Sequence, residues 1–198
     1  MSKKLTVAQI VKASGSINVP VPALKAVIEV ECRGRGFNSD DTPVILFERH
    51  VFRQRLIANG KSSIAVKAMR ERPDICNVYS GGYGLYSAQH KRLGDAANYD
   101  RTSALESASW GLGQVMGYHW QALGYESLQQ FINAMYRDEA SQLDAMCRFI
   151  RVNNLAKYMR SQDWASFALR YNGKAYAKNK YDIKLASAYK LHSAHDQF

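Results

Sequence analysis

The feature that most constrains this chain is an apolar helical stripe that ends in a carboxylate, within the stretch VIEVECRGRGF. Leu24, Val27 and Ile28 are spaced as i, i+3 and i+4, so the next position on that face of a helix is Glu31. Glu29 lies about 200° around the helix from Glu31, which predicts that it faces solvent. The pattern therefore predicts an amphipathic helix whose core-facing side ends in a single acidic group.

The position of Glu31 allows two explanations. A carboxyl group at the buried end of a helix loses hydration, which disfavours its charged form and raises its pKa. Such a group can donate a proton near neutral pH. An ion pair with Arg33, Arg35 or Arg49 explains Glu31 equally well from spacing alone. The local sequence leaves both the proton donor and the ion-pair partner open.

A second acidic side chain, Glu48, ends the apolar run VILFE. Glycoside hydrolysis ordinarily uses two carboxyl groups across a cleft, one as proton donor and one to stabilise or attack the cation or to activate water. Arg49 and His50 follow Glu48 directly, so a structural ion pair is the alternative explanation. Glu48 is therefore a candidate second catalytic carboxylate.

Cys32 suggests a different chemistry, because His50 or His90 could serve as the base of a thiol nucleophile. No spacing supports such a pair, and a small buried residue explains Cys32 more simply. The histidines and the three cysteines form no H-x-x-x-H or C-x-x-C arrangement, so neither a metal site nor a cofactor is predicted. We expect the cysteines to be reduced.

Helical periodicity dominates the chain, and the run at 44–48 is the best strand candidate, preceded by the turn residues NSDDTP. The stretch YSGGYGLY, at 79–86, predicts a loop that lines a surface groove. Methionines on the helix after Ser127 are predicted to be core. The predicted helices are 5–14, ended by Gly15; Pro20 or Pro22 to about Cys32, ended by Gly34 and Gly36; 50–59; a long helix opened by a Ser127–Gln130 capping box and running through Phe131, Met135, Met146, Phe149 and Ile150; 164–172, closed by Gly173; and 181–191.

The net charge of +10 favours a polyanionic partner, which could be nucleic acid, an anionic membrane surface or an acidic wall polymer. No DNA-reading motif is present, so nucleic acid is not expected. The N-terminal apolar run is too short for a signal peptide, and no stretch approaches the roughly 18 apolar residues of a membrane span. The basic face is predicted at Lys174, Lys178, Lys180, Lys184 and Lys190.

Three stretches, in this order, resemble the lysozyme-like superfamily. VIEVECRGRGF resembles the helix end that carries the catalytic glutamate, and SASWGLGQVMG (107–117) is similar to an element of goose-type lysozymes and lytic transglycosylases. ALRYNGKAY (168–176) resembles their later Tyr-Asn-Gly segment. With ILFERHVF (45–52) and SGGYGLYSAQ (80–89), the whole chain resembles the phage N-acetylmuramidase endolysins.

The resemblance implies a mainly α (α+β) lysozyme-like fold with a small β element beside an active-site cleft, and it puts Glu31 in the acid role. Gln114 would lie on the cleft floor, where an amide can both donate and accept hydrogen bonds. Tyr171 and Asn172 would lie beside Glu31 as orienting or binding groups. The remaining predicted substrate-binding residues are Tyr83 and Ser109.

The leading functional hypothesis is a muramidase that hydrolyses the β-1,4 bond between N-acetylmuramic acid and N-acetylglucosamine in peptidoglycan glycan strands. We expect residues 1–198 to form a single lysozyme-like catalytic domain without a separate wall-binding module, acting as a monomer. It would be made in the host cytoplasm without a signal peptide and reach periplasmic peptidoglycan after the membrane is breached. Its basic face would bind anionic outer-membrane or wall polymers.

Two other functions remain open from the sequence. A lytic transglycosylase needs only Glu31 and closes the sugar on its own hydroxyl to give a 1,6-anhydro product. A non-catalytic cationic protein that binds the envelope or nucleic acid would account for the charge, but it leaves the position of Glu31 unexplained.

Overall fold

The computed structural model describes residues 3–32 and 35–195 of the 198-residue chain. Arg33 and Gly34 lie outside the described residues, so the predictions that Arg33 pairs with Glu31 and that Gly34 ends a helix lie there too. The side chain of Cys32 is likewise not described.

The first two helices lead the chain to Glu31. Helix α1 spans Val7–Ser16, and a complete capping box between Thr6 and Gln9 opens it. Helix α2 spans Val21–Cys32, as predicted, and the Pro20 carbonyl accepts the amides of its first turn.

The prediction that Gly15 ends the first helix is wrong, because α1 continues to Ser16. The left-handed backbone that turns the chain is supplied instead by Asn18, at a φ of +52°. Asparagine tolerates this conformation better than most residues, so no glycine was needed at the helix end.

A three-stranded antiparallel sheet has the order β1-β2-β3, with β1 at Ile45–Phe47, β2 at Ala108–Trp110 and β3 at Val115–Met116. Ser109 pairs with Leu46 on one side and with Met116 on the other. The strand predicted at 44–48 is confirmed, and the two later strands were not predicted.

Four helices lie between β1 and β2: α3 (Arg49–Ala58), α4 (Ser62–Glu71), α5 (Gln89–Ala97) and α6 (Arg101–Glu106). The helix predicted at 50–59 is confirmed. The predicted glycine-rich loop joins α4 to a short 3₁₀ helix at Tyr86–Ala88, and a second 3₁₀ helix, Gly117–His119, follows β3.

The long helix predicted after Ser127 is wrong, because two helices occupy that region: α7 (Leu128–Arg137) and α8 (Glu139–Val152). Between them Asp138 is extended and its carboxylate accepts the Ser141 amide at 2.7 Å. Aspartate is among the best N-cap residues, and this cap ends one helix and begins the next. The predicted capping box is half formed, because the side chain of Gln130 accepts the Glu126 amide instead.

The chain closes with α9 (Ala156–Arg160), α10 (Trp164–Asn172), a 3₁₀ turn (Lys174–Tyr176) and α11 (Tyr181–His195). Gly173 ends α10 at a φ of +78°, as predicted, and α11 packs against α2 and α10. The mainly α architecture with a small β element agrees with the sequence.

One apolar core joins the helices and the sheet. Met135 and Met146 are fully buried in it, which confirms their assignment to the core. In the described part of the chain, no helix is both long enough and apolar enough to cross a membrane.

Candidate active site

Glu31 lies in the last turn of α2, where the buried face of the helix reaches partial exposure. Leu24, Val27 and Ile28 are buried below it, as the stripe predicts. Glu29 is exposed and lies 2.8 Å from His192 Nε2 on α11. The two glutamates therefore have different environments, and the face assignment is confirmed.

Among the described residues, the side-chain amide of Asn172 is the hydrogen-bond partner of the Glu31 carboxyl group. Asn172 Nδ2 lies 3.0 Å from both carboxyl oxygens. Burial raises the pKa of Glu31 from 4.5 to about 7, against the opposing effect of the Asn172 hydrogen bond, which favours the charged form. A carboxyl group with this pKa holds a proton in about half of the molecules at pH 7.

The ion-pair explanation of Glu31 finds no support among the described residues, since none of their lysines or arginines pairs with it. Arg49 instead donates to the backbone carbonyls of Tyr79 (3.1 Å) and Ser80 (3.3 Å). It fixes the glycine-rich loop. Desolvation is therefore the largest influence on the pKa of Glu31, and no cation of the described residues offsets it.

Asn172, which holds the Glu31 carboxyl group, also lines a groove between the sheet and the ends of α8 and α10. The groove has a volume of about 400 Å³, within the range of roughly 300–1,000 Å³ that small-molecule sites occupy. Its lining residues are Gly113, Gln114, Val115, Met116, Tyr118, His119, Phe149, Asn153, Arg170, Tyr171, Asn172 and Gly173. The structure thus brings Gln114, Tyr171 and Asn172 into one groove, as the resemblance implies.

Tyr171 connects α10 to the loop between β2 and β3. Its hydroxyl donates to the Gly113 carbonyl at 2.7 Å, and its ring stacks on Phe167 with centroids 5.3 Å apart. These contacts fix the helix end that carries Asn172.

Gln114 and Ser109 are joined by a hydrogen bond of 2.9 Å, in which the serine hydroxyl donates to the amide oxygen. Gln114 Nε2 donates to the Gly111 carbonyl at 2.8 Å, and the backbone of Gln114 has a φ of +47°. Both ends of this amide therefore brace the β2–β3 turn, and a sugar that contacts Gln114 has to share these hydrogen bonds.

Two residues that brace the site were missed from sequence, Glu139 and Gln142 on α8. Buried Glu139 accepts the backbone amides of Leu5 and Gly36, each at 2.8 Å. Gln142 accepts the Leu112 amide at 2.8 Å and donates to the Gly36 carbonyl at 3.2 Å. Gly36 leaves no room for a Cβ beside Gln142, so only glycine permits this approach. The i, i+3 spacing of two polar residues on a buried helix face was the available signal.

Glu48 immediately follows β1 and does not line the groove. Its carboxylate accepts a hydrogen bond from the Tyr83 hydroxyl. Glu48 Oε2 lies 3.3 Å from His50 Nδ1, and both atoms are buried without a hydrogen-bond partner among the described residues. Burial raises the pKa of Glu48, while the charges of His50 and Arg92 and the Tyr83 hydrogen bond oppose the rise.

The thiol chemistry considered from sequence finds its two histidines engaged elsewhere. His90 Nε2 lies 2.8 Å from the Pro43 carbonyl, and His50 Nδ1 faces Glu48. Cys76 and Cys147 are free and buried, and burial raises the pKa of their thiols to about 11 and about 12. At neutral pH these two thiols are protonated and poor nucleophiles.

The fold and the protonatable Glu31 at the end of a helix beside a groove place the chain in the lysozyme-like class. The family model for N-acetylmuramidase matches residues 20–193, and the chain belongs to that family. It is similar to the Burkholderia AP3 phage endolysin, whose crystal structure matches with a TM-score of 0.90 and 40% identity over 99% of this chain and 73% of that one. No curated protein shows significant sequence similarity. These findings confirm the resemblance to phage muramidase endolysins and identify a peptidoglycan-cleaving enzyme.

Proposed function

We propose that the protein is a muramidase that hydrolyses the β-1,4 bond between N-acetylmuramic acid and N-acetylglucosamine, with Glu31 as the general acid. The observation that carries this proposal is the pKa of about 7 at a carboxyl group beside a groove. A proton donor whose pKa lies near the working pH combines a useful protonated fraction with a favourable transfer. Membership of the N-acetylmuramidase family supports the substrate.

Glu31 protonates the glycosidic oxygen as the bond to the sugar breaks, and it becomes a carboxylate in the same step. Asn172 Nδ2 then donates to a charged acceptor, which strengthens its hydrogen bonds to Glu31. The amide therefore stabilises the product form of the acid and fixes its orientation. Asn172 is in this proposal an orienting group.

Glu48 is the proposed second carboxylate, stabilising or attacking the cation or activating water. Tyr83 supports this role because its hydroxyl holds the Glu48 carboxylate. A lytic transglycosylase is the second candidate, because Glu31 contacts the lining residue Asn172, whereas Glu48 is not among the described groove-lining residues. His50 and Tyr83, which the Glu48 carboxylate contacts, are not among them either. The transglycosylase reaction needs Glu31 alone and leaves 1,6-anhydro ends.

The proposed substrate contacts lie around this groove and the loop beside Glu48. Peptidoglycan glycan strands are the proposed partner of a monomeric protein, at the residues Gln114, Tyr171, Asn172, Ser109 and Tyr83. The proposed contact with anionic envelope polymers is the exposed basic face, which weakens with salt. Its lysines are all exposed: Lys174, Lys178, Lys180, Lys184 and Lys190.

The matched pair Glu31→Gln and Glu29→Gln tests the assignment of the acid. Both variants lose one negative charge from α2, but only Glu31 has the raised pKa and the Asn172 contact. Turbidity loss of permeabilised Gram-negative cells should fall about 10²- to 10⁴-fold for Glu31→Gln and stay near wild type for Glu29→Gln. Equal losses in the two variants would show that the acid is misassigned.

A further inference from the structure

Arg170 and Asn172 are both among the described residues that line the groove. Asn172 holds Glu31, and Arg170 gives the lining a cationic side chain. The Arg170 guanidinium donates to the Ser166 carbonyl at 3.3 Å and lies 4.6 Å from the centre of the Tyr158 ring. These two contacts hold its plane while most of its donors remain unused.

The charge of Arg170 has no acidic partner among the described residues that line the groove. None of the described lining residues is Asp, Glu or Lys, and Arg170 forms no ion pair with any described residue. Burial lowers the pKa of His119, so that ring is neutral at pH 7. Asp163 feels the charge of Arg170 but caps the opposite end of α10. Among the described lining residues, Arg170 therefore carries the one charge at pH 7.

The described groove lining also contains a cluster of aromatic rings. The rings of Tyr118 and His119 are 4.2 Å apart, and His119 meets Phe149 edge-on at 5.0 Å. Such a cluster suits the apolar faces of a neutral sugar ring, and the cation in the same lining suits an anionic substituent. The groove is thus complementary to a saccharide that carries a carboxylate.

In the glycan strand of peptidoglycan, only the muramyl sugar carries substituents with a carboxylate. N-acetylglucosamine is uncharged, whereas the lactyl group of N-acetylmuramic acid is joined by an amide to a peptide stem that has free carboxylates. We propose that Arg170 is a specificity residue that binds a carboxylate of the peptide stem. The inference rests on the proposed function, since it takes the groove to bind the glycan strand. The forked guanidinium is well matched to a carboxylate.

The test measures binding, so that it does not depend on catalysis. In a Glu31→Gln background, Arg170→Gln is titrated with soluble glycan strands that carry stem peptides and with strands stripped of stems by an amidase, which frees the lactyl carboxylate. Arg160→Gln is the matched control, because Arg160 is also exposed, also donates to one backbone carbonyl (Asn18, 3.2 Å) and lies outside the groove. Arg170→Lys retains the charge without the fork.

We expect Arg170→Gln to raise the Kd for stem-bearing strands about five- to tenfold, with no change for stripped strands. Arg160→Gln should change neither, and Arg170→Lys should lie between wild type and Gln. If Arg170→Gln weakens binding of both kinds of strand equally, Arg170 contacts the sugar or the lactyl carboxylate. If it weakens binding of neither, Arg170 does not contact the glycan strand. Either result overturns the proposal. A failure of the proposed function can be distinguished from a failure of this proposal. If the proposed function is wrong, the wild type does not cleave the strands, but the binding comparison still measures the effect of Arg170.

Discussion

Replacing the acid should stabilise the folded protein at neutral and alkaline pH. Glu31 ionises near its ordinary value of 4.5 in the unfolded chain and near 7 in the folded protein. The folded state therefore binds this proton more tightly, and stability falls as pH rises from about 4.5 through 7. Glu31→Gln removes the titrating group, so the loss should disappear in the variant.

The magnitude follows from the difference of about 2.5 pKa units between 4.5 and 7. At about 1.4 kcal/mol per unit this difference corresponds to about 3.5 kcal/mol. Because Glu31 is partly exposed, solvent screening reduces the expected effect to about 2 to 3 kcal/mol. For a chain of 198 residues that raises the melting temperature by about 5 to 10 °C. The buried Asn172 Oδ1 has no hydrogen-bond partner among the described residues, so an amide at position 31 can form a complementary pair with Asn172.

Urea unfolding of both proteins at pH 4 and pH 8 measures the effect. We expect the free energies of unfolding to agree within about 0.5 kcal/mol at pH 4 and to differ by about 2 to 3 kcal/mol at pH 8, with the variant more stable. Glu29→Gln should show no such pH-dependent gain, because Glu29 is exposed. A wild type as stable as Glu31→Gln at pH 8 would refute the raised pKa.

Three further predictions concern Asn172, Glu48 and the route to the wall. Asn172→Ala removes a hydrogen bond that favours the charged form of Glu31. The alkaline limb of the pH profile of kcat/KM should therefore move up by about one pH unit. A limb that stays in place or moves down would contradict the orienting role of Asn172. Glu48→Gln should retain its melting temperature and lose lytic activity; a melting temperature lowered by several degrees with activity retained would make Glu48 structural and favour the transglycosylase. Expression alone should leave Gram-negative cells intact and co-expression with a pore-forming protein should lyse them; lysis or export without the pore-former would contradict the predicted compartment.

The helices and the face of Glu31 were predictable because the 3.6-residue apolar period reports burial directly. The same pattern could not find the boundary at Asp138, since an N-cap competes with helix continuation only through a local hydrogen bond. Strands β2 and β3 are three and two residues long, too short for a period to register. Long stripes were therefore informative, whereas short elements were not.

The site residues came from the resemblance, and the structure adds how they are connected. Asn172 reaches Glu31 across 141 positions of sequence, and no local pattern encodes such a contact. Glu139 and Gln142 brace the segment after α2 through backbone groups of Gly36, which leave no mark on side-chain periodicity. Arg170 could not be singled out from the sequence, because its significance depends on the lack of acidic residues among the described residues that line the groove.

Mass spectrometry of the soluble products from purified peptidoglycan tests the central claim most directly. A muramidase leaves N-acetylmuramic acid at the reducing end, which borohydride converts to the alcohol with a gain of two hydrogens. We predict that the wild type releases such muropeptides and that Glu31→Gln releases none. Products lighter by one water and resistant to borohydride would identify a transglycosylase, and N-acetylglucosamine at the reducing end would place the cut at the other glycosidic bond.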